Sequence, residues 1–263
     1  MTRALDDPAA VRAEYADPSR LAARAAAWEN SVGPDPRDEL FAAVAEVVPR
    51  RVLEVGCGHG WFAERMLREL GAEVVAVDQS EQMVALTRAR GVDAWVADVQ
   101  DLPFDDGSFD CTVAAWMLYH VPDLDRAVAE LARVLRPGGR LVAVTNPVLN
   151  LPELWALFDD EAPPRAQSFH AGNGAAILGR SFTRVETREV RGTLVFPDRE
   201  AARSYVAASI TRPHLAERLP GWDGPLECTR MNAVFVAVTA EPPVREADQW
   251  RGPGGTGRLP RER

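Results

Sequence analysis

The chain has 263 residues, 46% hydrophobic and 26% charged, enough to bury one good core and a small cap. A formal net charge of −9 and a pI near 5.1 argue against a nucleic-acid partner, because neutralising phosphates supplies most non-specific affinity. All 30 Lys+Arg positions are arginine, which removes Schiff-base chemistry, a phosphate-loop lysine and a lysine general base. No run of about 18 apolar residues is present to span a membrane, and the opening MTRALDDPAA lacks the apolar core of a signal peptide. Cys57, Cys111 and Cys228 are odd in number with no CxxC spacing or zinc-spaced histidines, so free thiols in a cytoplasmic protein and no metal site are expected.

In chain order, residues 7–30 read as alanine-rich helices broken at Asp17-Pro18 and followed by a Gly33-Pro34-Asp35-Pro36 linker, an N-terminal helical cap over 1–36. Its Tyr15 and Trp28 are candidates for a pocket wall or for plain helix packing. After a helix over 37–48, VLEVGCGHG at Val52 to Gly60 runs an apolar strand into a glycine turn and then a helix over 60–70. Gly56, Gly58 and Gly60 allow a tight turn and close approach to a ligand, with Glu54 just before them. A dinucleotide fingerprint, GxGxxG, fails because Trp61 stands where its last glycine belongs. The next strand, from Glu73 to Val77, ends on Asp78, 24 residues after Glu54. An acid there can accept from both hydroxyls of a ribose, or it can cap a helix over 82–90 together with Ser80. A third strand over 94–97 ends on Asp98, so three strands of an alternating βα pattern finish on or beside acids at the carboxyl edge of a parallel sheet.

Beyond these lie GSFDCTVAAWMLYHVPD, a helix over 124–135 striped by Val128, Leu131, Ala132 and Leu135, and LRPGGRLVAVTN. An insert over about 147–172, holding a helical 153–158 and Asp159-Asp160-Glu161, reads as a lid above the sheet edge. Asn173 or Ser168 can cap the helix through Ile177 and Leu178. A sixth strand over 183–190, a helix over 199–208 opened by Asp198, and a final strand over 232–239 complete a core spanning 37–240. The Pro-, Gly- and Arg-rich stretch 241–263 is expected to be a disordered tail.

Glycine loop, ribose acid, Asp98-Val99-Gln100-Asp101-Leu102-Pro103-Phe104 and the LRPGG turn, in that order, resemble the class I S-adenosylmethionine-dependent methyltransferases, in particular the type 11 small-molecule group. The resemblance runs from about Leu40 to Ala240. It implies a Rossmann-like α/β fold: a doubly wound, mostly parallel seven-stranded sheet, helices on both faces, a small N-terminal and insert cap, and an antiparallel last strand. It implies S-adenosyl-L-methionine as cofactor, leaving S-adenosyl-L-homocysteine. Gly56, Gly58 and Gly60 would lie under its methionine part, oriented by Glu54; Asp78 and Gln79 would take the ribose, and Asp98 and Val99 the adenine. Ala115 and Trp116 would flank the methionyl group, with His120 pointing toward the transfer site. The [DNS]PP[YF] segment of base-amine methylases is replaced by AAWMLYH, which favours a small-molecule acceptor.

A sulfonium methyl is already electrophilic, so alignment and exclusion of water are the main requirements. His120 can serve an alcohol or phenol as general base, or it can simply bond backbone in its turn. Tyr119 is a hydrogen-bond partner for substrate, His170 a second candidate, and His59 a loop residue outside the chemistry. Asp159 and Asp160, with Glu161 and the net charge of −9, suggest a cationic acceptor such as an amine or amino sugar of specialised metabolism, or else a solvated acidic face. A Rossmann-type oxidoreductase and a non-catalytic cofactor-binding protein remain as alternatives.

Overall fold

The structure, a computed structural model, describes residues 11, 26–158, 167–209 and 212–241. Among them eight strands form one sheet: β1 (Ser31–Val32), β2 (Arg51–Val55), β3 (Glu73–Asp78), β4 (Asp93–Val96), β5 (Phe109–Ala115), β6 (Leu135–Thr145), β7 (Arg184–Phe196) and β8 (Leu226–Val238). Across the sheet the order is β1-β7-β8-β6-β5-β2-β3-β4. The five strands β2 to β6 run parallel, and β8 lies antiparallel to both β6 and β7. The seven strands expected become eight, because Ser31 and Val32 pair with Leu194 and Thr193 and extend the edge. The two residues between the expected N-terminal helices and the Gly33–Pro36 linker supply that strand, and a two-residue strand carries no periodicity to betray it.

Alternation along the strands divides the core between two faces. Leu53, Val55, Val75 and Val77 meet α4 (Leu124–Arg133) and α6 (Gly174–Leu178) on one side. Val52, Val74 and Ala76 meet α1 (Pro36–Ala45), α2 (Trp61–Leu70) and α3 (Glu81–Ala89) on the other. Polar caps set the helix starts: Asp35 accepts from Arg37 N, Ser80 from Met83 N, and Asp123 from Arg126 N. The helix expected over 60–70 begins one residue later, behind Gly60 in the left-handed region. LRPGG, expected as a turn, is the irregular start of β6, with the register slipping between Phe109 and Cys111.

β7 and β8 pair along all 13 residues of each, yet only Ala233 to Val238 lies against β6. The rest of the hairpin projects past the carboxyl end of the parallel strands and carries a cap. That cap consists of α5 (Pro152–Trp155), α7 (Arg199–Ala207) and the 3-10 turn Pro213–Arg218. Leu151, Leu154, Leu194, Phe196, Val206 and Leu215 form its separate core. The covering layer therefore comes from two stretches of chain, the expected insert and the segment after β7.

Candidate active site

β2 has β3 on one side and β5 on the other, so the winding of the sheet reverses between the carboxyl ends of β2 and β5. Open α/β sheets bind ligands in that crevice. A cavity of about 300 Å³ opens there, lined by Glu54, Gly56 to His59, Asp78, Gln79, Asp98 to Gln100, Ala115 to Met117 and Tyr119 to Pro122.

Each glycine of the loop has its own reason. All three have positive φ, but a Cβ on Gly56 would lie 2.7 Å from Met117 Cβ and one on Gly60 2.6 Å from the Thr87 hydroxyl, whereas nothing stands within 4 Å of one on Gly58. Gly58 is therefore the bare backbone facing open cavity. The loop is pinned from below: Asp78 accepts from Gly58 N at 3.0 Å and from Ser80 N at 2.9 Å. Thr87 donates to the Gly58 carbonyl at 3.0 Å. Burial raises the Asp78 carboxyl, against the pull of those backbone donors.

Glu54 is 2% exposed. It accepts from the Ala63 backbone, so a strand residue caps α2 from beneath, where Gly60 has no side chain to do so. Its Oε2 is buried without a partner, and burial pushes its acid up to about 8. Burial also drives the Cys57 thiol upward, and its Sγ lies 3.4 Å from Thr87 Oγ1; a thiol held protonated there is a poor nucleophile.

Elsewhere on the wall, Asp98 accepts from Gln100 N at 2.9 Å, and Gln100 Oε1 accepts from Asp123 N at 3.0 Å. This fastens the Asp98 segment to the start of α4. Trp116 follows β5 at φ 51, with its Nε1 buried and unpartnered. Tyr119 and His120 close the wall, their rings 4.4 Å apart. The structure thus brings Glu54, Gly56, Gly58, Asp78, Gln79, Asp98, Val99, Ala115, Trp116, Tyr119 and His120 to one cavity. Gly60 packs behind it on Thr87.

His170 does not line that cavity. Its Nδ1 accepts from Gly172 N at 3.0 Å while Asn173 Oδ1 accepts from His170 N at 2.7 Å, so the ring serves its own turn. Asn173 likewise spends its side chain there rather than on capping α6. Tyr15, Asp159, Asp160 and Glu161 lie outside the described residues, as does the tail from 242. Among the wall residues that the sequence did not single out are His59 and Val11. His59, read as a loop residue, lines the cavity with Nδ1 buried and unpartnered. Val11, 5% exposed, reaches it from the N-terminal segment. The place of His59 between two loop glycines was the available signal; Val11 offered none. Among the described residues no three His, Cys, Asp or Glu side chains gather as a metal site, and no helix is long and apolar enough to cross a membrane.

Fold and cavity define an α/β protein with a nucleoside-sized crevice at its switch point. Residues 53–143 match the family model of a methyltransferase domain, and they form a class I S-adenosylmethionine-dependent methyltransferase domain of the type 11 group. The chain is 35% identical over 153 residues to a ubiquinone biosynthesis O-methyltransferase of Xanthomonas oryzae, covering 52% of this chain and 64% of that protein. It is 36% identical over 144 residues to a fatty-acid O-methyltransferase of Mycolicibacterium smegmatis, covering 52% of each. The matches thus span between half and two thirds of those relatives. The fold is shared with the [4+2]-cyclase SpnF at 20% identity, a TM-score of 0.54 and coverage of 78% of this chain and 82% of that one.

Family and fold imply S-adenosylmethionine as cofactor, and the residues present fit it. Glu54, which lines the cavity, has a buried carboxyl oxygen without a partner, able to accept from a donor such as an α-ammonium, and the open space at Gly58 is a cradle that any Cβ would fill.

Proposed function

We propose that the protein methylates a small-molecule acceptor at oxygen, with His120 as general base. The observation that carries this is the place of His120, on the wall of the same cavity as Ala115 and Trp116. The bound cofactor supplies an electrophilic methyl group. Asp78 and Asp98 hold the nucleoside, Glu54 the ammonium, Trp116 and Tyr119 shield the reacting centre from water, and His120 takes the proton from the acceptor hydroxyl. The names of the two relatives support oxygen as the site of transfer. The kinship with a cyclase shows why fold alone is not the warrant.

His120→Ala should leave S-adenosylhomocysteine affinity within a few-fold and lower turnover by about 100-fold. The assay is release of S-adenosylhomocysteine with a panel of phenols and alcohols. Near-native turnover across pH would make His120 structural. Calorimetry with nicotinamide dinucleotide in place of S-adenosylhomocysteine distinguishes an oxidoreductase. An amine or amino-sugar acceptor of specialised metabolism is a second reading, supported by the acidic run Asp159-Asp160-Glu161 and the net charge of −9. For such an acceptor KM should rise with salt, and rise again when those three become Asn, Asn and Gln.

A further inference from the structure

The bulkiest fully buried side chain among the described residues is that of Arg230, 1% exposed. A guanidinium taken out of water is ordinarily met by a carboxylate. Here Nη2 donates to the Pro34 carbonyl at 2.6 Å, Nη1 reaches Asn232 Oδ1 at 3.5 Å, and Nε has no partner. Asp35 favours the cation through space but is itself held by Arg37 at 2.9 Å. The backbone is shaped to admit this side chain. Gly192 faces Arg230 across the β7–β8 ladder, and a Cβ there would lie 2.3 Å from Arg230 Nη2 and 2.7 Å from the Val32 carbonyl oxygen.

What the buried cation supports is aromatic. Its guanidinium carbon lies 5.2 Å from the Trp28 ring centroid, and Trp28 lies 6.2 Å from the Trp116 ring at 58°. Trp116 is cavity wall, while Trp28 and Arg230 are not. Its φ of 51 is one that a bulky side chain keeps only where its surroundings over-determine it. Its indole N–H, buried and unpartnered, has meaning only if the ring plane is held. A cation over the face of a second indole holds that ring better than aliphatic packing does, because it is attracted to the ring face.

We infer that Arg230 is a positioning residue: through Trp28 it sets the plane of Trp116, and so shapes the methionyl end of the pocket while leaving the nucleoside end to Asp78 and Asp98. This rests on the reading of the cavity as a cofactor site. Two probes separate the ends, since adenosine reports only the nucleoside end and S-adenosylhomocysteine reports both. By calorimetry, Arg230→Met should weaken S-adenosylhomocysteine about five- to tenfold and leave adenosine within about twofold. Arg230→Lys, which restores the cation without the flat face, should recover part of the loss.

Gly192→Ala should reproduce the selective loss from a position that touches no cavity residue, and it serves if the methionine variant does not fold. Equal losses for both ligands, or unchanged S-adenosylhomocysteine affinity in folded variants, would make Arg230 a staple for β1 and nothing more. Wild-type protein that binds neither probe would overturn the cofactor reading, and this inference with it.

Discussion

One carboxyl group, that of Glu54, both caps α2 and lines the cavity. Its acid stands at about 8 against an ordinary 4.5, chiefly because burial penalises the charge, with the Ala63 N–H opposing and the Asp78 charge adding. The folded protein therefore holds a proton that the unfolded chain has released. The stabilisation this brings is full below the unfolded value of 4.5 and is lost as pH climbs through about 8. Glu54→Gln keeps the shape without the titration, so its melting temperature should fall less than that of the native protein between about pH 5 and 8. Equal slopes for the two proteins would show the carboxyl ionised throughout. Asp78 invites a separate test, because its oxygens already hold Gly58 N and Ser80 N. Asp78→Ala should remove the proposed ribose acceptor and loosen the loop together, about 1.5–3 kcal/mol or roughly 10- to 150-fold in S-adenosylhomocysteine affinity. Unchanged affinity by calorimetry would remove it from the ribose. Neither double duty is visible in a string of residues, since each joins a strand end to a backbone amide on another segment.

Among the elements, the strand, glycine turn and helix from Arg51 to Leu70 were legible because their signals are local: an apolar run, three glycines, an amphipathic stripe. The differing tasks of those glycines were not legible, since they depend on Met117 and Thr87 arriving from elsewhere. Gly58 and Gly60 both have positive φ, so alanine at either suffers the same backbone strain, and the difference isolates the neighbours. Gly60→Ala, with its Cβ 2.6 Å from the Thr87 hydroxyl and 2.9 Å from Thr87 Cα, should lower the melting temperature more. Gly58→Ala, whose Cβ enters the cavity, should lower cofactor affinity more. Thermal melts and calorimetry on the pair decide it, and a matched outcome would mean the loop relaxes around either methyl. Asp198 opening α7 was equally local, its side chain accepting from Ala201 N. Asn173, expected as a cap, was taken instead by the His170 turn, because Asn competes for nearby backbone wherever the loop offers it.

At the scale of the molecule, two core faces sandwich the sheet and a third cluster fills the cap. Leu215, fully buried in that cap cluster, tests its independence. Leu215→Ala should cost about 2–5 kcal/mol, and amide exchange should quicken over α7 and Pro213–Arg218 while β2, β3 and β5 stay protected. Uniform quickening would mean that cap and sheet unfold as one unit. The sequence by itself determined the βα alternation, the acids at the strand ends and the glycine loop between β2 and α2, because helix and strand periodicities and turn chemistry act over a few residues. Only the tertiary structure decided the eighth strand, the cap drawn from two segments, the capping of α2 by Glu54, and the placing of Val11 and His59 on the cavity wall. It also decided the run of contacts from Arg230 to Trp28 to Trp116, in which Arg230 reaches a carbonyl 196 residues away. Contacts at that separation leave no periodic trace, since they exist only once β7 and β8 have joined the sheet and brought Arg230 against Pro34.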